Sequence, residues 1–427
     1  MGGDTERRLW LESSKKLGMA LGLLNTSKAV DALNLPPQNH TTVHVAGSNG
    51  KGTTCALLCT ALTNEGISNL MFSSPHLIRV EERIRINGIP VQPDVFDRAL
   101  EKVYAATTTK GIRVTFFEIT FLVSLVIASE ADVEVMVMET GLGGRLDATR
   151  VAKADIGVLT SLSLEHTDVL GDELTTIAME KAAIARAHCP MIVRRPEGEN
   201  IRSAIEETTL KAGMSELGEV SGPAELMFVD IPLGASFREE AECLVREIWA
   251  HLECVNPLHQ PMTENCVWPA RMQLIEPSEP SEPFFLLDGA HNPSGISRVV
   301  NELSLNPSVC EGSWVMLLGT SPQTDMKGTM RPLVQLCKNN PPLAVVLSEP
   351  QGGRYPAVPV CELKKWFDGL GIPILSHSMP NDAVAYVKQN YNQSTLVVSI
   401  GSLYLQGNIL EMMGLTTDEN LSFVAKH

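Results

Sequence analysis

The chain has 427 residues, more than one ordinary hydrophobic core accommodates, so two domains are expected. Its 44% hydrophobic and 20% charged content is that of a globular protein, and its net charge of −16 argues against non-specific nucleic-acid binding, which needs a basic face. Nine cysteines without paired spacing read as idle thiols in a reducing compartment, and Met1 to Arg8 contains no apolar stretch of a secretory signal.

In chain order, residues 9–40 alternate helical periodicity with turns and close at Leu35-Pro36-Pro37. An apolar strand over 43–46 enters the glycine-rich turn Gly47-Ser48-Asn49-Gly50-Lys51-Gly52, and a helix is expected from Thr53-Thr54 until Gly66. A strand at about 69–72 follows, then a buried helix over 116–128 and a buried parallel strand over 133–138. The run Ile119 to Ala128 is the longest mostly apolar one and covers only about half a bilayer, so a cytoplasmic protein without a membrane span is expected, with a mitochondrial form still open. A strand over 156–162 and a helix over 174–186 continue the alternation, which means a mostly parallel sheet with helices on both faces. The acidic, proline-rich stretch 276–283 reads as an exposed hairpin tip. Beyond it a second α/β alternation runs through strands at 284–287, 314–318, 344–347 and 395–400.

The turn over 47–52 points backbone N–H groups at an anion, and the next helix adds a partial positive charge from its N-terminus. Lys51 can neutralise outer phosphates and the Thr53 hydroxyl can reach a Mg²⁺ held by them. Gly52, between the lysine and the hydroxyl residue, departs from the general phosphate-loop spacing. In open α/β sheets ligands sit beyond the carboxyl ends of the strands, and several polar groups fall there. Glu139 is placed to hold Mg²⁺, or else caps the following turn. His166, between Glu165 and Asp168, is either a metal ligand or a hydrogen-bonded structural histidine. Glu180-Lys181 by itself reads as a solvated helix face. Asn292 and Pro293 suit the N-cap and first turn of a helix, which leaves Asp288 and His291 either at a ligand position or in turn chemistry alone. Arg271 could clamp a phosphate or make an interdomain ion pair. The glycines over 141–144 do not form a dinucleotide fingerprint, because Leu146 stands where its third glycine would fall.

Together these pieces resemble the folylpolyglutamate synthase and dihydrofolate synthase family of the Mur ligase superfamily. The motifs run in the family's order: Leu17 to Leu23, the phosphate loop, Ser73 to Leu77 with Glu82 to Gly88, Glu139 to Thr149, Glu165 to Gly171, Glu180 to Ala182, Trp268 to Gln273, Asp288 to Pro293, and Gly401 to Tyr404. The resemblance implies an α/β fold with a P-loop mononucleotide-binding parallel-sheet domain over 1–269, followed by a smaller Rossmann-like α/β domain over 270–427. It also implies an ATP-dependent ligase that adds L-glutamate to a folate or dihydropteroate through an acyl phosphate and acts as a monomer. In that reading Gly47, Asn49, Gly50, Lys51, Gly52, Thr53, Thr54, Arg271 and Asp288 bind ATP. Thr53 and Glu139 hold one Mg²⁺ and His166 a second, while a carbamylated Lys181 supports the metal site. Lys51, Lys181, Asp288 and His291 are the catalytic set, and Ser74, Pro75, His76 and Arg83 belong to the loop that contacts the pterin. The chain departs from the family at 233–241, which lacks its His-Gln-x-x-Asn pattern, and in having Ala270 for a glycine and Ser48 for a threonine. The first departure motivates an alternative, a catalytically weak folate- or nucleotide-binding relative. A peptidoglycan-type Mur ligase is disfavoured by Ser73 to Leu77.

Overall fold

The computed structural model describes all residues except 1, 19–21, 214–216, 253–264, 354 and 425–427, and no side chains before residue 5. Residues 19–21 of the N-terminal matching segment therefore lie outside the described residues. The chain divides into two compact units, Met1–Cys266 with Phe423–His427, and Val267–Ser422.

The first unit is built on eight strands: β1 Thr41–Ala46, β2 Asn69–Phe72, β3 Ile84–Ile86, β4 Ile89–Pro90, β5 Val135–Glu139, β6 Ile156–Leu159, β7 Pro190–Arg194 and β8 Glu225–Val229. They lie in the order β4-β3-β2-β5-β1-β6-β7-β8. All neighbours are parallel except β2 with β3 and β3 with β4. The central strands are buried on both faces, which is why β5 reads as a continuous apolar run up to Glu139 rather than an alternating one. β1 pairs with β5 on one side and β6 on the other. The carboxyl ends of these three strands therefore lie side by side, although 93 residues separate Ala46 from Glu139 in the sequence.

The helix after β1 is Lys51–Asn64, two residues earlier than the expected start, because Gly50 at φ 88° is its N-cap and the turn passes directly into helix. Residues 54–62 of this helix are all buried. The helix Phe116–Glu130 opens with the capping box Thr115/Glu118, and Glu118 also accepts a bond from Thr26 of the helix Leu24–Leu33. With Leu70, Phe72, Phe96 and Met138 its apolar residues form one core cluster. β6 stops at Leu159 and the later helix spans Leu174–Ala182, each shorter than its apolar pattern, since apolar residues also line the buried turns that follow. The β3–β4 hairpin escapes the apolar pattern because its strands are only 3 and 2 residues long. Its turn, Asn87-Gly88, has both residues at positive φ, the geometry that favours Asn-Gly.

The second unit carries β9 Gln273–Ile275, β10 Phe284–Leu287, β11 Trp314–Leu318, β12 Ala344–Ser348, β13 Ile374–His377 and β14 Leu396–Ile400 in the order β13-β12-β11-β14-β10-β9. Only β9 is antiparallel, and 276–283 joins it to β10 as a mostly exposed tip, in line with its acidic, proline-rich composition. No helix among the described residues is long and apolar enough to cross a membrane, and the cysteines among them are free.

Candidate active site

The turn after β1 is shaped by two glycines and by the segment that follows β6. Gly47 has φ 146°, and a Cβ there would sit 1.9 Å from the Thr160 Oγ1. Thr160 and Ser161 both donate their hydroxyls to the Asn49 carbonyl, at 2.8 and 3.0 Å. The Ser48 N–H donates to the Ser161 carbonyl at 2.7 Å, and the Ser163 N–H donates to the Ser48 hydroxyl at 3.1 Å. These bonds fix the turn from the β6 side, and it leads directly into the N-terminus of a 14-residue helix, a position that favours an anion. Thr53 lies in the first turn of that helix, while the Thr54 hydroxyl is engaged with the Gly50 carbonyl at 2.9 Å.

Two lysines meet at this turn. Lys51 Nζ donates to the Gly47 carbonyl at 3.1 Å, and Lys181 Nζ donates to the same oxygen at 2.9 Å. Lys181 is 2% exposed, so the reading of Glu180-Lys181 as a solvated face is overturned for the lysine. Glu180 does face outward, paired with Arg145 at 2.8 Å. Lys181 also donates to Glu165 at 2.8 Å. Burial lowers the Lys181 ammonium below its ordinary range, opposed by Glu165 and reinforced by Lys51. Burial pushes the Glu165 carboxyl up, but both ammoniums and the hydrogen bond outweigh it and hold it below the usual carboxylate range. His166 sits at φ 46°, a left-handed conformation uncommon outside glycine, and burial lowers its imidazole, opposed by Glu165 and reinforced by Lys181 and Lys51. Glu139 closes β5, is 7% exposed and accepts the Ser74 N–H at 3.1 Å.

Among the described residues no three His, Cys, Asp or Glu side chains form a group that could hold a metal ion. Glu139 offers a carboxylate, Thr53 a hydroxyl and His166 an imidazole, donor types that a divalent ion accepts.

Ser74, Pro75, His76 and Arg83 form one patch beyond β2. The buried Glu82 carboxylate accepts three backbone N–H groups, Leu77 at 2.9 Å, Ile78 at 2.8 Å and Arg79 at 2.7 Å, and so fixes the loop. Arg83 Nε donates to His76 Nδ1 at 3.0 Å, and its guanidinium lies 5.0 Å from the Phe116 ring centre, with the Lys15 ammonium at 4.9 Å from the same centre. Burial, aided by Arg83 and Lys15, pushes the His76 imidazole down to about 3. The hydrogen bond from Ser74 to Glu139 ties this loop to the strand end beside the phosphate turn.

In the second unit Asp288 follows β10 and accepts the Met272 and Ala290 N–H groups at 2.9 and 2.7 Å. Burial raises its carboxyl, with Arg271 pulling it back. Asn292 caps the helix Pro293–Leu303 by accepting the Gly295 N–H at 2.7 Å, as its residue type suggested. His291 Nδ1 donates to the Gly289 carbonyl at 2.8 Å. Arg271 stands between Ala270 and Met272, both left-handed at φ 58° and 45°, so the alanine that replaces the family's glycine keeps a glycine-like backbone.

Three contributors, Thr160, Ser161 and Ser163, carry no motif and follow or end an apolar stretch as polar residues. Glu165, read in the sequence as a neighbour of His166, pairs instead with Lys181.

The Mur ligase middle domain family matches residues 45–214. A dihydrofolate synthase/folylpolyglutamate synthase of Haemophilus influenzae is 39% identical over 188 residues, 44% of this chain and 42% of that protein. The protein of the same description from Bacillus subtilis is 30% identical over 330 residues, covering 70% of this chain and 75% of its own. Among solved structures, Escherichia coli FolC in complex with DHPP and ADP superposes with a TM-score of 0.79 at 24% identity over 96% of this chain and 97% of its own. A bifunctional folylpolyglutamate synthase/dihydrofolate synthase with Mn, AMPPNP and L-glutamate bound gives 0.78 at 24% identity, over 96% and 98%. These structures establish a shared fold over nearly the whole chain.

Proposed function

The chain belongs to the dihydrofolate synthase/folylpolyglutamate synthase family, and from that premise we propose that it is an ATP-dependent ligase joining L-glutamate to a dihydropteroate or folate carboxylate. The observation that carries this reading is the convergence of Lys51 and Lys181 on the Gly47 carbonyl of a turn flanked by Glu139 and Thr160. Two lysines and a strand-end carboxylate around a glycine-rich turn support a phosphate-handling role.

In the first step the acceptor carboxylate attacks the γ-phosphorus of ATP, giving an acyl phosphate and ADP. In the second the glutamate amine attacks the acyl carbon, expels phosphate and loses a proton. Both steps gather anions, so the barrier falls chiefly through charge neutralisation in a preorganised site. Lys51, freed from the Gly47 carbonyl, serves the outer phosphates. Glu139 and Thr53 fit one Mg²⁺ and His166 a second, and the ions supply neutralisation of the transferring phosphoryl group. Ser74, which donates to Glu139, joins the acceptor loop to that end of the site, while Arg83, stacked on Phe116, suits an anionic aromatic acceptor. The depressed Lys181 amine favours the neutral form that carbamylation needs. Arg271 and Asp288 are assigned to ATP and His291 to the glutamate, and the enzyme is taken to be a cytoplasmic monomer.

ATP, Mg²⁺ and glutamate incubated with dihydropteroate or with tetrahydrofolate test the proposal and separate the two acceptors. ADP and a glutamylated product are expected from at least one. Tight acceptor binding without ADP release would sink the ligase reading in favour of a binding relative.

A further inference from the structure

His44 lies in β1 with no exposed surface, three residues before the phosphate turn. A fully buried imidazole between two valines of a parallel strand needs hydrogen-bond partners. Its Nε2 lies 3.0 Å from the Thr140 Oγ1 and 2.8 Å from the Thr149 Oγ1. The Thr149 hydroxyl gives its own proton to Asp147 at 2.5 Å, so its oxygen can only accept from His44. That assigns the tautomer: Nε2 carries the proton, and Nδ1, which has no hydrogen-bond partner among the described residues, is left as a bare lone pair.

The chain of bonds continues outward. Asp147 also accepts the Leu142 and Thr149 N–H groups at 2.8 and 3.0 Å, and Thr140 donates its N–H to the Val45 carbonyl at 2.9 Å. The segment 140–149 is thereby fastened to β1 at its root. At its other side Arg145 donates its N–H to the Glu180 carbonyl at 2.8 Å, and a Cβ on Gly144 would come within 2.9 Å of the Lys181 carbonyl. One loop thus connects Glu139, its preceding residue, to the helix that carries Lys181.

We propose that His44 is a positioning residue for the metal end of the site: through Thr140 and the Asp147–Thr149 pair it holds the Glu139 carboxylate where a divalent ion bridging the ATP phosphates needs it. The inference rests on the reading of Glu139 as a metal ligand. Groups hydrogen-bonded to a metal ligand typically change metal affinity by about 10–100-fold when lost; His44 bonds the residue next to such a ligand, so the lower end of that range applies.

The test is Mn²⁺ binding in the presence of a non-hydrolysable ATP analogue, read from the electron paramagnetic resonance of free Mn²⁺, alongside thermal unfolding. H44L, which removes the donor, is expected to weaken Mn²⁺ about tenfold or more. H44Q places an amide N–H near the Nε2 position and is expected to recover most of that loss, whereas H44N reaches only as far as Nδ1 and is not. T140V, which removes one hydroxyl at constant shape, is expected to act in the same direction as H44L and covers the case in which H44L fails to fold. Unchanged Mn²⁺ affinity in T140V and H44L, or equal losses in H44Q and H44L, would overturn the proposal. Absence of Mn²⁺ binding by the wild type would instead overturn the metal reading of Glu139 on which it rests.

Discussion

Replacing Gly47 by alanine probes the joint between the phosphate turn and the segment after β6. The added methyl would lie 1.9 Å from the Thr160 Oγ1, 3.0 Å from its Cβ and 3.2 Å from its backbone N, so Thr160 has to move. The backbone at φ 146° adds about 1–3 kcal/mol for a residue with a Cβ. Displacing Thr160 breaks its 2.8 Å bond to Asn49, worth about 1 kcal/mol, and overpacking contributes roughly 1–3 kcal/mol. A total of about 4 kcal/mol lowers the melting temperature by roughly 10 °C in a unit of this size. A shift of the turn by about 1 Å also costs on the order of 100-fold in ATP turnover. Thermal unfolding and steady-state ATP kinetics of G47A measure both. In the double variant G47A/T160A the 1.9 Å contact is gone but the 3.0 Å contact and the positive φ remain, so stability and KM for ATP should recover in part. A G47A protein with wild-type melting and ATP kinetics, or a T160A change that adds to G47A without any recovery, would refute the argument.

Lys181→Ala should lose activity by about 100-fold or more, with partial recovery on adding short carboxylic acids that supply the carboxylate a carbamate would have provided; near-normal rates in the plain variant would dispose of that role. Glu82→Ala strands three buried N–H groups and the Arg85 guanidinium, so a loss of about 3 kcal/mol or more and a raised KM for the acceptor are expected in unfolding and kinetic assays, against a KM for ATP that changes little. His76 titrates at about 3 in the folded chain against an ordinary 6.5, so between those values the unfolded chain binds the extra proton. Stability from this residue is complete above pH 6.5 and falls as the pH drops, by up to about 1.4 kcal/mol per unit; H76Q should flatten denaturation midpoints between pH 6.5 and 5 relative to wild type, and an unaltered slope would contradict the burial argument. Ala270→Gly removes a Cβ from a φ of 58° and should stabilise the second unit by about 0.5–1 kcal/mol in unfolding experiments, the left-handed penalty outweighing the entropy of glycine.

What adjacent residues encode was readable without coordinates. The apolar run of β1 followed by Gly47 to Thr54, the Asn292-Pro293 helix start and the acidic tip at 276–283 are local, since turn and cap chemistry depends on a handful of consecutive positions. The Asn87-Gly88 hairpin was equally local, but its strands were too short to show a period. What stayed hidden was every contact fixed by strand order. Lys181 reaches the Gly47 carbonyl across 134 positions, and Thr160 reaches Asn49 across 111. His44 meets Thr149 across 105. These pairs exist because β1 is flanked by β5 and β6, an order set by long-range strand pairing and not by any local propensity. The sequence by itself thus offered the glycine-rich turn with Lys51 and, through the family resemblance, Lys181 as expected phosphate-site residues. Only the tertiary structure decided that Lys181 is buried against the same carbonyl as the loop lysine, because burial and charge pairing are properties of neighbours in space.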